Sequence, residues 1–207
     1  VADGYDVVHI NLGSGLSAAH QNCCIAVKEL GHVHPVDSAS LSTGFGHLVL
    51  QAGQMIEQGL PAGEIQQRLN ALRYKTHASF VLDTLEFMRA GGRCSAVAAI
   101  GANLLGLKPG IRVDNQNGGK MGVGKKYRGN MEKVLREYIR DELANKENLV
   151  LDRIFITHSG SPESDIELAK EEIRRWAGFE EILVTRASGT ISAHCGPRTL
   201  GVLYMTR

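Results

Sequence analysis

From Tyr5 onward the sequence switches repeatedly between short apolar runs of strand character and longer stretches whose apolar residues recur three and four apart. That alternation specifies an α/β fold with parallel pairings, because a strand followed by a helix returns to its sheet in the same direction. Tyr5 to Leu12 reads as a strand, Gly13-Ser14-Gly15 as a turn, Ser17 to Leu30 as a helix closed by Gly31, and His32 to Asp37 as a second strand. Ser42-Thr43-Gly44 opens a helix through about Gln58, and Pro61 a shorter one to about Leu72, with Ile65, Leu69 and Leu72 on its apolar face. A boundary near Arg73 to Lys75 divides the chain into domains 1–73 and 74–207.

In the second part, Ala78 to Leu82 reads as a strand, Thr84 to Ala90 as a helix ended by Gly91-Gly92, and Ser95 to Leu105 as a helix of small residues. Leu107 to Val113 and Lys120 to Val123 read as a hairpin around Gln116-Asn117-Gly118-Gly119, an antiparallel pair that breaks the parallel pattern. Met131, Val134, Leu135, Tyr138, Ile139 and Leu143 share one face, which predicts a helix from Asn130 to about Lys146. A strand at Arg153 to Thr157, a helix from Ser161-Pro162-Glu163 through Trp176, and strands at Glu181 to Thr185 and Gly201 to Met205 follow.

Composition narrows the function classes. With 207 residues, 43% of them hydrophobic, the chain can bury a core, and its net charge of +1 leaves no basic surplus for tracking phosphates. Nucleic acid is therefore not an expected partner. Cys23, Cys24, Cys94 and Cys195 show no C-x-x-C spacing and read as reduced thiols of a cytoplasmic protein. No run approaches the ~20 apolar residues that span a bilayer, so stable membrane insertion is not expected. The chain opens without Met and enters a strand almost at once, which reads as a fragment.

Two polar, glycine-rich segments carry the chemistry, Gly13-Ser14-Gly15-Leu16-Ser17 and His194-Cys195-Gly196-Pro197. Each adjoins an apolar strand-like run, where open α/β folds build ligand sites. Backbone N–H groups and hydroxyls of the first are expected to point at an anion on the following helix, unless Ser17 simply caps that helix. A tight turn at Cys195-Gly196-Pro197 is expected to expose His194 at a strand end. The nucleophile elbow G-x-S-x-G is absent, and neither phosphate-loop nor dinucleotide glycine spacing fits. His32 and His34 share a strand face but lack a third ligand at metalloenzyme spacing, so no metal is expected. Arg93 suits a carboxylate or phosphate, and Lys125-Lys126-Tyr127-Arg128 reads as a solvated loop or an anionic-partner surface. A serine or cysteine acyl hydrolase using Ser14 or Cys195 with His158 or His194 is the competing reading.

The motifs taken together resemble the DegV family of bacterial fatty-acid-binding proteins. The family's S-S-x-L-S-G-T-Y-Q stretch corresponds to Gly13 through Gln21, its D-S-x-S to Asp37-Ser38-Ala39-Ser40, and its D-T-L-E-Y-L-x-x-G-G-R to Asp83 through Arg93. L-x-I-K-P is matched by Leu105-Gly106-Leu107-Lys108-Pro109, and H-x-G-P-G-T-L-G by His194 through Gly201. The resemblance implies a two-lobed α/β fold, with an incomplete parallel N-terminal lobe and a mixed-sheet C-terminal lobe holding an acyl tail. It implies a long-chain fatty acid between the lobes, no cofactor, and no catalysis by the chain itself. A separate ATP-dependent fatty acid kinase then phosphorylates the bound carboxylate. Carried over, Ser14, His194 and the weaker Ser17 contact the carboxylate, with Cys195 and Gly196 in the same turn. Arg93 lies beside the head group, and Lys126 and Arg128 face the kinase. The family's N-terminal T-S-x-P-S element has no counterpart, Ala18-Ala19 replaces Gly-Thr, and Gly13, Cys195 and Arg198 replace Ser, Thr and Gly.

Overall fold

The structure, a computed structural model, describes residues 1, 3–94, 106–144 and 146–207. It divides into two compact units, Val1–His77 with Asp114–Lys120, and Ala78–Val113 with Met121–Arg207. The helix predicted over Ser95 to Leu105 lies outside the described residues.

In the first unit, β1 (Val7–Asn11) and β2 (Val33–Asp37) form a two-stranded parallel sheet, in register from Val7 opposite Val33 to Asn11 opposite Asp37. The connection is α1 (Ala19–Leu30), closed by Gly31 at φ +58, whose N–H donates to the Val27 carbonyl at 3.1 Å. This helix starts at Ala19 rather than Ser17. The Ser17 hydroxyl accepts the Ala19 N–H at 3.2 Å and so ties the turn before the helix instead of capping it. α2 (Thr43–Glu57) buries Leu48, Ala52 and Met55, and α3 (Ala62–Leu72) buries Ile65 and Leu69, the spacing of one helical face. With Val36 these residues form the unit's core, and Val8 and Ile10, alternate positions of β1, pack against it. α1 buries no residue fully, and its Ile25 and Leu30 are exposed.

The second unit is built on a six-stranded mixed sheet. Its strands are β3 (Thr76–Val81), β4 (Leu107–Asp114), β5 (Lys120–Arg128), β6 (Leu149–Ser159), β7 (Glu181–Arg186) and β8 (Thr199–Thr206), in spatial order β5-β4-β3-β8-β6-β7. β3 and β4 are antiparallel, as are β6 and β8, while β6 and β7 run parallel. On the sheet lies α5 (Met131–Leu143), and the six residues predicted for its apolar face are all buried. α6 (Glu163–Trp176) completes this layer with Leu168, Ala169 and Ile173 in the same core. The Tyr138 hydroxyl, inside that core, bonds Ser79 Oγ at 2.8 Å and accepts the Val202 N–H at 3.1 Å, which ties α5 to β3 and β8. The described residues of this unit also form two short helices, α4 (Glu86–Gly91) and α7 (Gly189–Cys195).

Three local readings change. β5 continues to Arg128, so Lys126 and Arg128 are exposed residues of an edge strand rather than of a loop. β6 extends to Leu149 and Ser159, because pairing with β8 carries residues beyond the most apolar stretch into the sheet. His194 lies in the last turn of α7 rather than in a tight turn at a strand end. Ser188 caps that helix by accepting the Ile191 N–H at 3.3 Å, and Gly196 at φ +80 ends it.

Candidate functional site

Parallel pairing of β1 and β2 brings their C-terminal ends together, so the Gly13–Ser17 turn leaves β1 beside the Asp37–Ser40 bend leaving β2. Gly13 sits where a Cβ would be 2.5 Å from the Gly118 carbonyl and 3.0 Å from Ser40 N. The tip of the β4–β5 hairpin packs there, which accounts for a glycine where the family pattern carries serine. Gly13 N–H donates to Ser40 O at 2.9 Å and Gly15 N–H to Gly118 O at 2.8 Å. Those of Leu16 and Ser17 donate to Gly13 O at 2.9 and 3.3 Å. The amides expected to face an anion are thus already engaged in holding the turn.

Ser14 points into the same network. Its hydroxyl donates to Asp37 Oδ2 at 2.6 Å and its N–H to Oδ1 at 3.0 Å, and Oδ1 also accepts the Ala39 N–H at 2.9 Å. Arg73 stands 3.8 Å from Oδ2, donates to the Asp37 carbonyl at 3.1 Å, and lies over the Tyr74 ring. Burial alone pushes the Asp37 carboxyl up, but the Ser14 hydroxyl, the Ala39 and Ser14 amides and the nearby His20 together hold it below its ordinary value. Asp37 and Arg73 were not singled out in the sequence as site residues. A D-S-x-S run at the end of a strand parallel to the one before Ser14 is the signal that points to Asp37. Ser40 Oγ and Arg73 Nε are buried without a partner among the described residues.

In the second unit α4 packs against α7, and two glycines make this possible. A Cβ on Gly91 would run into the His194 ring, and a Cβ on Gly196 would lie 2.5 Å from Phe87 Cδ2. The G-G-R and H-C-G motifs, far apart in sequence, therefore interlock through each other's missing side chains. His194 is half-buried, with Nδ1 enclosed and unpartnered among the described residues. Arg93 is exposed and donates from Nη1 to Gly91 O at 2.9 Å. Cys195 is buried, and burial pushes its thiol up to about 12. Arg198 occupies a left-handed conformation at φ +56, suited to the glycine of the family pattern, and pairs with Asp165 at 2.7 and 3.2 Å.

A hydrolase would need an activated nucleophile. The Cys195 thiol stays protonated near neutrality, and the Ser14 hydroxyl donates to a carboxylate rather than to an imidazole. His158 Nδ1 accepts the Ser161 N–H at 3.1 Å, holding the turn into α6. Nothing in this geometry favours the hydrolase reading. Among the described residues no His, Cys, Asp or Glu cluster suits a metal ion, and no helix is long and apolar enough to cross a membrane.

A profile of the family described as "Uncharacterised protein, DegV family" matches residues 1–207. A DegV domain-containing protein of Deinococcus radiodurans is 30% identical over 98% of this chain and 70% of its own length. Among solved structures, a fatty-acid-binding DegV family protein from Thermus thermophilus is similar at TM-score 0.84 and 27% identity, over 100% of this chain and 73% of its own. The fatty acid kinase (Fak) B3 protein of Streptococcus pneumoniae, solved loaded with linoleic acid, shares the fold at TM-score 0.82 and 21% identity, over 98% of this chain and 72% of its own.

Proposed function

We propose that this chain, which belongs to the DegV family over its whole length, binds a long-chain fatty acid and presents the carboxyl group to a separate fatty acid kinase for acyl-phosphate formation. The likeness to the Thermus thermophilus fatty-acid-binding protein over 100% of this chain carries the reading. The Streptococcus pneumoniae Fak B3 protein supports the kinase partner. Within the structure, the enclosed and unpartnered Nδ1 of His194 supports a ligand contact there, because an unsatisfied buried nitrogen costs free energy that a polar head group removes.

Ser14 and His194 are the proposed head-group contacts, Ser17 is a weaker one, and Cys195 and Gly196 shape the turn that follows His194. Arg93 is the proposed residue beside the reacting end, and Lys126 and Arg128, exposed on β5, form the proposed kinase-facing surface. Affinity comes from the tail. Burying about 14 methylenes at ~0.8 kcal/mol each contributes on the order of 11 kcal/mol before ordering costs.

The test is lipid extraction and native mass spectrometry of the purified chain, followed by delipidation and titration with palmitate. A co-purifying fatty acid that rebinds supports the proposal, and a chain that neither carries nor takes up palmitate sinks it. For the kinase step, Arg93→Ala is expected to keep palmitate binding while losing most kinase-dependent phosphorylation. Normal turnover in that variant removes Arg93 from the role.

A further inference from the structure

We infer that Ser40 and Arg73 are head-group ligands supplied by the first unit: the Ser40 hydroxyl and the Arg73 Nε–H donate to the ionised carboxylate of the fatty acid beside Ser14. The inference rests on the fatty-acid reading above and deepens it. It follows from asking which enclosed donors of this unit have nothing to donate to.

Most polar hydrogens around Asp37 have an acceptor. The Ser14 hydroxyl has one hydrogen and gives it to Asp37 Oδ2 at 2.6 Å, so a carboxylate beside it needs further donors. The amides of Ser14 and Ala39 donate to Oδ1 at 3.0 and 2.9 Å. Ser38 Oγ donates to Ser40 O and accepts the Ser40 N–H, each at 3.2 Å. Arg73, just after α3, donates through Nη1 to the Asp37 carbonyl at 3.1 Å and through Nη2 to the Tyr74 hydroxyl at 2.6 Å. Two enclosed side-chain donors of this unit are left without a partner among the described residues, Ser40 Oγ and Arg73 Nε. Ser40 is 1% exposed, which leaves its hydroxyl no bulk water to turn to.

The backbone that carries Ser40 is strained as well. Ala39 at φ +48 and Ser42 at φ +50 hold left-handed conformations that residues with side chains rarely adopt. Gly13 and Gly119 close on this bend, where a Cβ on them would lie 3.0 and 3.1 Å from Ser40 N. Strain of this kind persists where packing enforces it, and it gathers at ligand clamps.

Both donors suit an anion. The charge of Asp37 is answered by the Ser14 hydroxyl, two amides and Arg73 at 3.8 Å, and the guanidinium keeps its Nε–H for a second carboxylate. A hydrogen bond to an ionised acceptor is shorter and stronger than one to a neutral acceptor, so the carboxylate form satisfies both groups best. That is also the form on which the proposed kinase step acts. Arg93 and His194, proposed above for the same head group, are the contributions of the second unit.

The test titrates palmitate and 1-hexadecanol, a neutral head on a chain of equal length, into the wild-type chain, Ser40→Ala and Arg73→Lys. Ser40→Ala removes a hydroxyl without a partner, so its urea midpoint should match or exceed that of wild type. Its ratio of palmitate to 1-hexadecanol affinity should nevertheless fall about tenfold. Arg73→Lys keeps the charge beside Asp37 but has no Nε–H donor, and the same ratio should fall roughly threefold or more. An unchanged ratio in either variant overturns the inference while leaving fatty-acid binding intact. A lowered midpoint in Ser40→Ala also overturns it, because the hydroxyl then serves the fold. A wild-type chain that takes up no palmitate overturns the fatty-acid reading, and this inference with it.

Discussion

The two glycine-rich segments use their polar groups in opposite ways. From Gly13 to Ser17 each backbone N–H, together with the Ser14 hydroxyl, donates to an acceptor inside the first unit. Around His194 a ring nitrogen is enclosed with no partner among the described residues. A satisfied turn contributes to folding and resists change whether or not a ligand is present. An unsatisfied group lowers stability until something pairs with it. The difference teaches that removing a polar group of the Ser14 network should register first in stability, and removing the His194 ring first in binding.

The largest expected effect breaks the second segment outright. Gly196→Ala places a side chain at φ +80 and ψ 173, with its Cβ 2.5 Å from Phe87, and should destabilise the chain by about 2–4 kcal/mol in urea unfolding. A midpoint matching wild type would mean that α4 and α7 do not interlock.

Next is Asp37→Ala, which leaves the Ser14 hydroxyl and two amides without their acceptor, removes the ion pair with Arg73, and should cost about 1–3 kcal/mol. Its pH dependence has a definite sign. Because folding holds Asp37 below its ordinary value of 3.8, its contribution is present above that pH and is lost as pH falls through the folded value. Wild type should therefore lose its advantage over Asp37→Ala on acidification below 3.8, and an advantage that persists there contradicts the assignment.

His194→Ala is the opposite case. No hydrogen bond among the described residues is broken, so unfolding should shift by less than about 1 kcal/mol, whereas palmitate affinity should fall about tenfold in a direct titration. A variant that loses stability but keeps affinity would invert the comparison.

The smallest effect involves His158, held below its ordinary value of 6.5 by burial and by Arg186, against the pull of Glu163. Its contribution is present above 6.5 and is lost as pH falls, since protonation of Nδ1 removes the acceptor for the Ser161 N–H. A shallow stability slope below 6.5 is expected, and it should vanish in His158→Gln.

Long periodic segments were legible in the sequence. The face of α5 was readable residue by residue, because six apolar positions at helical spacing leave no competing arrangement. The β1-α1-β2 order followed from Gly13 and Gly31 punctuating apolar runs. α7 was not legible, because a seven-residue helix with Gly, Thr and Ser has little periodicity, and only Ser188 and Gly196 mark its ends. At the site, residue types around Ser14 were readable but proton direction was not. That direction depends on Asp37, whose approach is created by the parallel register of β1 with β2.

The interlock of α4 with α7 also bears on how such a chain diversifies. Since Gly91 makes room for His194 and Gly196 for Phe87, neither glycine can gain a side chain while its partner ring stays. A relative that places a side chain at the first glycine should carry a smaller residue in place of the histidine, and one that fills the second should lack the aromatic ring. Paired substitution at these four positions across an alignment would record a steric constraint that no single position displays.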